Sequence, residues 1–126
     1  MRTNLAYSAY SQNNVSIESS EKLIKMLYEG VLKFTSQAKK SMELKDIEKK
    51  VYWINRSVAI FAELSNSLNF DGGQVAYYLQ GLYAYQMQLL SEANLKNDTK
   101  KLDEVISVTK SLLLAWNEKT ANAVAE

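Results

Sequence analysis

The side chains best suited to acid–base catalysis, nucleophilic attack and metal ligation are missing from this chain, which contains no histidine and no cysteine. Without imidazole there is no base poised near neutral pH, and without a thiol there is no thiolate nucleophile. Lacking both, the chain has no zinc site of the usual ligand types, and a bundle-borne di-iron centre, which pairs Glu with His three residues on, is equally out of reach. Carboxylates, lysines and one glycine pair remain. Asp103 and Glu104 are adjacent, and neighbours on a helix point in different directions, so they cannot share one reacting atom. A catalytic lysine needs an apolar setting that lowers its pKa, and every Lys is expected off the apolar stripes. Gly72-Gly73 lacks a following Lys-Ser or Lys-Thr and a preceding strand, so it marks a turn and not a phosphate loop. The chain is therefore not expected to be an enzyme, nor to hold a cofactor or metal.

Charge removes other classes. Fifteen Lys plus Arg against fourteen Asp plus Glu leave a net charge of +1, too even a balance to hold nucleic acid by counterion release. No apolar run approaches the ~20 residues that cross a bilayer, and no basic flank followed by an apolar core opens the chain. Membrane insertion is not expected, and the cytosol is the simplest address, with which the absence of cysteine agrees.

Apolar residues recur at three- and four-residue spacing, which predicts an all-α fold: an antiparallel up-down-up-down four-helix bundle with a short N-terminal helical segment. Residues 1–18 form that segment, docked on the bundle because Leu5, Tyr7, Tyr10, Val15 and Ile17 are too few anchors for independent order. Residues 19–126 form the bundle as a single domain. The first helix should begin near Ser19 or Ser20 and bury Leu23, Leu27, Val31, Phe34, Ala38 and Met42. Asp46 should cap a second helix that runs to about Asn69 with Ile47, Val51, Ile54, Val58, Phe61 and Leu68 inward. Asp71-Gly72-Gly73-Gln74 is the strongest break, with Gln74 placed as a capping-box partner of Asp71. Val75, Leu79, Leu82, Leu89 and Ala93 should line the third helix. Asp98 should cap the fourth, with Leu102, Val105, Ile106, Thr109, Leu112, Leu113 and Trp116 inward and fraying expected from Thr120.

Binding is better served than catalysis. Between Arg56 and Lys96 there is no basic residue, and the only acids are Glu63, Asp71 and Glu92. The third helix presents Tyr77, Gln80, Ala84, Gln88 and Leu95 opposite its core stripe, where an ordinary surface helix carries ions. On the second helix Trp53, Ile60 and Leu64 form another stripe, wider than one core needs. Trp, Tyr and Met anchor interfaces, so a groove for an apolar, helix-forming partner follows, with Trp53, Ile60, Leu64, Tyr77 and Ala84 as candidate contacts. Tyr7 and Tyr10, three apart on one side of a turn, could lie in that groove when no partner is present, or could serve as a permanent lid.

Four stretches, in this order and spacing, resemble the flagellin-specific export chaperones of bacteria, the FliS family. They are Lys22-Leu23-Ile24-Lys25-Met26-Leu27-Tyr28-Glu29-Gly30; Gly72-Gly73-Gln74-Val75-Ala76 with Leu79, then Leu82-Tyr83-Ala84-Tyr85; Ala93-Asn94-Leu95-Lys96-Asn97-Asp98; and Leu113-Leu114-Ala115-Trp116. The likeness spans about Tyr7 to Glu118. Departures are Ser19-Ser20-Glu21, where the family often has Ser-Pro, Gln74 in place of Glu, and Tyr78 where many members carry Asn. The resemblance implies an antiparallel four-helix bundle that binds the disordered C-terminal segment of newly made flagellin in the cytosol. It also implies that binding blocks premature polymerisation and delivers the subunit to the flagellar type III export apparatus, so that an export-gate component and other flagellar proteins are further partners. The family's N-terminal segment lies in the binding site until cargo displaces it, and its motif positions match Tyr7 and Tyr10. The alternative is a helical-bundle adaptor or homodimerisation module using the same uncharged surface.

Overall fold

A computed structural model describes residues 17–125 of the chain, so Tyr7, Tyr10 and the expected docking of the N-terminal segment lie outside the described residues. Four helices follow one another: α1 (Ile17–Glu43), α2 (Ile47–Asn66), α3 (Gln74–Lys96) and α4 (Thr99–Ala125), with a 3-10 turn at Phe70–Gly72. Each packs on two others, α1 on α2 and α4, and α3 on α2 and α4. Cross-helix pairs give the directions. Gly30 faces Ile60 while Thr35 meets Ser57, and Glu21 meets Trp116 while Lys39 meets Asp103. Phe61 touches Tyr83 while Lys50 reaches Asn97, and Tyr85 meets Glu104 while Glu92 meets Lys101. In every neighbouring pair one number rises as the other falls, so each contact is antiparallel.

The connections obey local chemistry. Asp46 caps α2 by accepting from the Lys49 amide at 3.1 Å, and Asp98 accepts from the Lys100 amide at 3.0 Å before α4. Asn97, at φ 52°, takes the left-handed conformation that ends α3. Gly73 sits at φ 103°, where any side chain would be strained.

Several expectations are corrected. Helix α1 already includes Ile17, ahead of Ser19 and Ser20. Helix α2 stops at Asn66, short of Asn69, where the Ser67 hydroxyl donates to the Glu63 carbonyl at 2.9 Å. Gln74 makes no capping box, since Gly73 is the residue before α3 and no side chain caps it; Asn69 instead accepts from the Asp71 amide at 3.1 Å. Helix α4 runs through the alanine-rich tail to Ala125, as the high helix propensity of alanine favours.

The core stripe of α1 passes through Ile24, Tyr28, Val31, Thr35, Ala38 and Met42, and Leu23 is left 46% exposed. Pattern counting that admits only apolar residues misses Tyr28 and Thr35, which are buried because their hydroxyls are paired. Thr35 Oγ1 lies 3.0 Å from Ser57 Oγ, and the Tyr28 and Tyr83 hydroxyls lie 2.6 Å apart across the bundle. Ile47 points outward at the first turn of α2. Two lysines are not off the stripes: Lys50 and Lys119 are 6% and 3% exposed. A lysine stem covers apolar surface wherever its ammonium finds acceptors, and Lys50 finds two.

Candidate functional site

On α3, Ala76, Leu79, Tyr83, Gln86, Leu90 and Ala93 face inward at alternating steps of three and four. At about 100° per residue this aims Tyr77, Ala84, Gln88 and Leu95 outward within one narrow sector. All four are exposed, Tyr77 at 61% and Leu95 at 81%, and Tyr78 beside them is 68% exposed. The Tyr77 ring rests on Phe70 of the preceding turn, with centroids 4.8 Å apart. The only charge on α3 before Lys96 is Glu92, which is turned to α4, where Lys101 lies 3.0 Å away. The Gln88 amide, at 3.1 Å, and then Lys101 lower the Glu92 pKa, and Glu92 in turn raises that of Lys101. The strip through Tyr77, Ala84 and Leu95 is thus uncharged and open.

The candidates on α2 lie elsewhere. Trp53 is half-buried in the seam with α1, stacked on Phe34 at 5.3 Å and met edge-on by Tyr52 at 4.8 Å. Ile60 is half-buried in the same seam, against Gly30, where an added Cβ would stand 2.8 Å from Ile60 Cδ1. Leu64 is wholly inside the core and has no surface to offer. The structure thus brings Trp53 and Ile60 together between α1 and α2, sets Tyr77 and Ala84 apart on α3, and does not join the two sets in one groove.

Sequence reasoning missed several features. Arg56 lies over Phe34 and Tyr52 at 4.6 and 5.7 Å from the ring centroids, and the spacing of Tyr52 and Arg56 by four was a legible signal. Burial of Lys119, which continues the α4 stripe three residues beyond Trp116, lowers its pKa to about 8, and the spacing was a legible signal. Lys39 is raised by its hydrogen bond to Asp103 at 2.8 Å. Among the described residues no three acidic side chains gather as a metal site requires, and no helix is long and apolar enough to cross a membrane.

Comparison with known proteins bears on what such a surface serves. The family described as flagellar protein FliS matches residues 2–123. The flagellar secretion chaperone FliS of Campylobacter jejuni is 56% identical over 119 residues, covering 94% of this chain and 93% of that protein. The Bacillus subtilis flagellar secretion chaperone FliS is 34% identical, covering 89% of this chain and 84% of its own length. That of Salmonella typhimurium is 30% identical, with 98% and 96% covered.

Proposed function

We propose a cargo-binding role from the premise that the chain belongs to the FliS family, a family of flagellar secretion chaperones and not of enzymes. The cargo is flagellin, held by its disordered C-terminal segment in the cytosol. Holding that segment keeps subunits from polymerising early and presents them to the flagellar type III export apparatus. An export-gate component and other flagellar proteins meet the loaded chaperone.

One observation carries this reading: α3 exposes Tyr77, Tyr78 and Leu95 along a helix whose only charge before Lys96 is turned to α4. Exposed tyrosines on an uncharged helix suit an apolar segment that folds as it docks, because rigid rings bury area at little entropic cost. A segment that orders on binding must bury on the order of 1,000–3,000 Å² to offset its own ordering, more than one strip supplies. The tail therefore wraps, taking Tyr77 and Ala84 first and continuing over the faces that flank α3. Tyr7 and Tyr10 gate the strip by occupying it until cargo arrives.

Calorimetric titration of a flagellin C-terminal peptide into the folded chain tests the reading. The expected result is one-to-one binding with a dissociation constant below about 10 μM and a negative heat-capacity change. No binding at tens of micromolar would remove the proposal.

A further inference from the structure

The end of the bundle where α1 turns into α2 has a different character from the α3 strip. Leu44 and Ile47 are 70% and 69% exposed there, and Tyr52 is 50% exposed. Between the two helices lies a cavity of about 490 Å³, walled by Lys40, Leu44, Asp46, Lys49, Tyr52 and Trp53. The one acid on this wall is already engaged. Asp46 accepts from the Lys49 amide at 3.1 Å as a helix cap, with Lys49 Nζ a further 4.0 Å contact.

The cations are differently placed. Arg56 donates from Nη1 to the Tyr52 hydroxyl at 3.1 Å while its guanidinium lies 4.6 Å from the Phe34 centroid. A guanidinium held by stacking and one hydrogen bond keeps further donors for a carboxylate and loses little freedom when it meets one. Lys49 lies two helical turns before Arg56, with Tyr52 between them on the same side of α2. Lys40 faces them from α1 across the cavity. Lys40 and Lys49 thus line an open cleft whose apolar wall is Leu44, Tyr52 and Trp53, and Arg56 stands just beyond it, held by Tyr52.

We propose that this seam is a second docking site, for an acidic amphipathic helix of another protein. One carboxylate meets Arg56, a second meets Lys40 or Lys49, and a bulky apolar side chain enters the cleft between Leu44 and Tyr52. Charge selects this occupant. A second copy of the chain would bring the same three cations against themselves in a two-fold contact. The flagellin strip on α3 is uncharged, so the two sites read different chemistry and both can be filled at once. Single-stranded nucleic acid would gain from the cations and from stacking, but has no side chain for the aliphatic wall that Leu44 supplies.

The test uses the isotopically labelled full chain and follows the indole N–H resonance of Trp53, with that of the buried Trp116 as internal control. The probe is a synthetic helical peptide of about four turns with Glu along one face and Leu and Phe along the other. The Trp53 resonance is expected to shift saturably with a dissociation constant below about 300 μM, while that of Trp116 stays put. Raising salt from ~0.05 to ~0.5 M should weaken binding at least about tenfold, since both partners are exposed charges. The double variant Lys49→Glu, Arg56→Glu should lose at least about tenfold as well, with Tyr52→Ala losing the apolar share. Prior saturation with the flagellin C-terminal peptide should leave the affinity within about twofold. Salt dependence and comparison with a Lys-for-Glu peptide need no variant, so a poorly folding mutant does not leave the question open. The proposal is overturned if the probe causes no shift at about 1 mM, or if the Lys peptide binds equally well. It is likewise overturned if flagellin peptide displaces the probe, if oligothymidylate binds more tightly, or if the Trp53 shift follows self-association of the chain.

Discussion

Lys50, one turn into α2, donates its ammonium to Asn97 Oδ1 at 2.7 Å and to the Asn94 carbonyl oxygen at 3.0 Å. The pair ties the start of one helix to the end of its neighbour. The Asn94 carbonyl belongs to the last turn of α3, where a positive charge is favoured by the helix dipole. Lys50 is nearly buried, so its two acceptors replace the water it gave up. Replacing Lys50 by Ala is expected to cost about 2 kcal/mol in urea unfolding, because two charge-assisted hydrogen bonds and a packed stem are lost. Asn97→Gly should cost less, under about 1 kcal/mol, since glycine relieves the left-handed backbone while the Lys50 contact is lost.

Two helical glycines make opposite predictions. A Cβ on Gly81 would meet nothing within 4 Å, so Gly81→Ala should stabilise the chain by about 0.5–1 kcal/mol through helix propensity alone. A Cβ on Gly30 would come within 2.8 Å of Ile60 Cδ1, so Gly30→Ala should lose that gain or reverse it. Ile60→Val removes the offending methyl. The double variant should therefore be more stable than the sum of its parts by about 1 kcal/mol, readable in a thermal-melt double-mutant cycle.

Lys119 gives the chain a pH signature. Its pKa, lowered by burial to about 8 from 10.5, makes the folded state bind this proton less tightly than the unfolded state. The sign follows: below about 8 both states carry the charge and folding bears its full desolvation, and as pH rises toward 10.5 the folded state sheds the proton first and stability grows. Compared with Lys119→Met, the parent chain should gain about 1–2 kcal/mol between pH 8 and pH 9.5. A constant difference between the two across that window contradicts the shift.

What the sequence disclosed depended on whether a signal was local. Asp46 and Asp98 were legible as caps because a cap needs only its own short stretch of backbone. The antiparallel order followed from connections too short to allow anything else. The rotation of α1 was not legible, since Tyr28 and Thr35 count as core only once Tyr83 and Ser57 are known to stand opposite. Lys50 escaped for the same reason: its acceptors lie more than forty positions away in the chain. Among candidate contacts, the exposure of Tyr77 and Ala84 was legible because a helix face without ions is visible in one dimension. Leu64 was misplaced beside Trp53 and Ile60 because a few tens of degrees about α2 separate the core from the α1 seam, finer than spacing resolves.

The central claim is that flagellin's C-terminal segment lies on the uncharged α3 strip. Tyr77 and Ala84 are exposed and take part in none of the buried pairs described above, so Tyr77→Lys with Ala84→Glu should leave the melting temperature within about 2 °C. The deciding measurement is the affinity of the flagellin C-terminal peptide for this double variant beside the parent chain. A loss of at least about tenfold at unchanged stability is predicted, because each charge would be buried under an apolar segment. Equal affinity for the two chains would contradict the account, since the cargo would then be held by some other face.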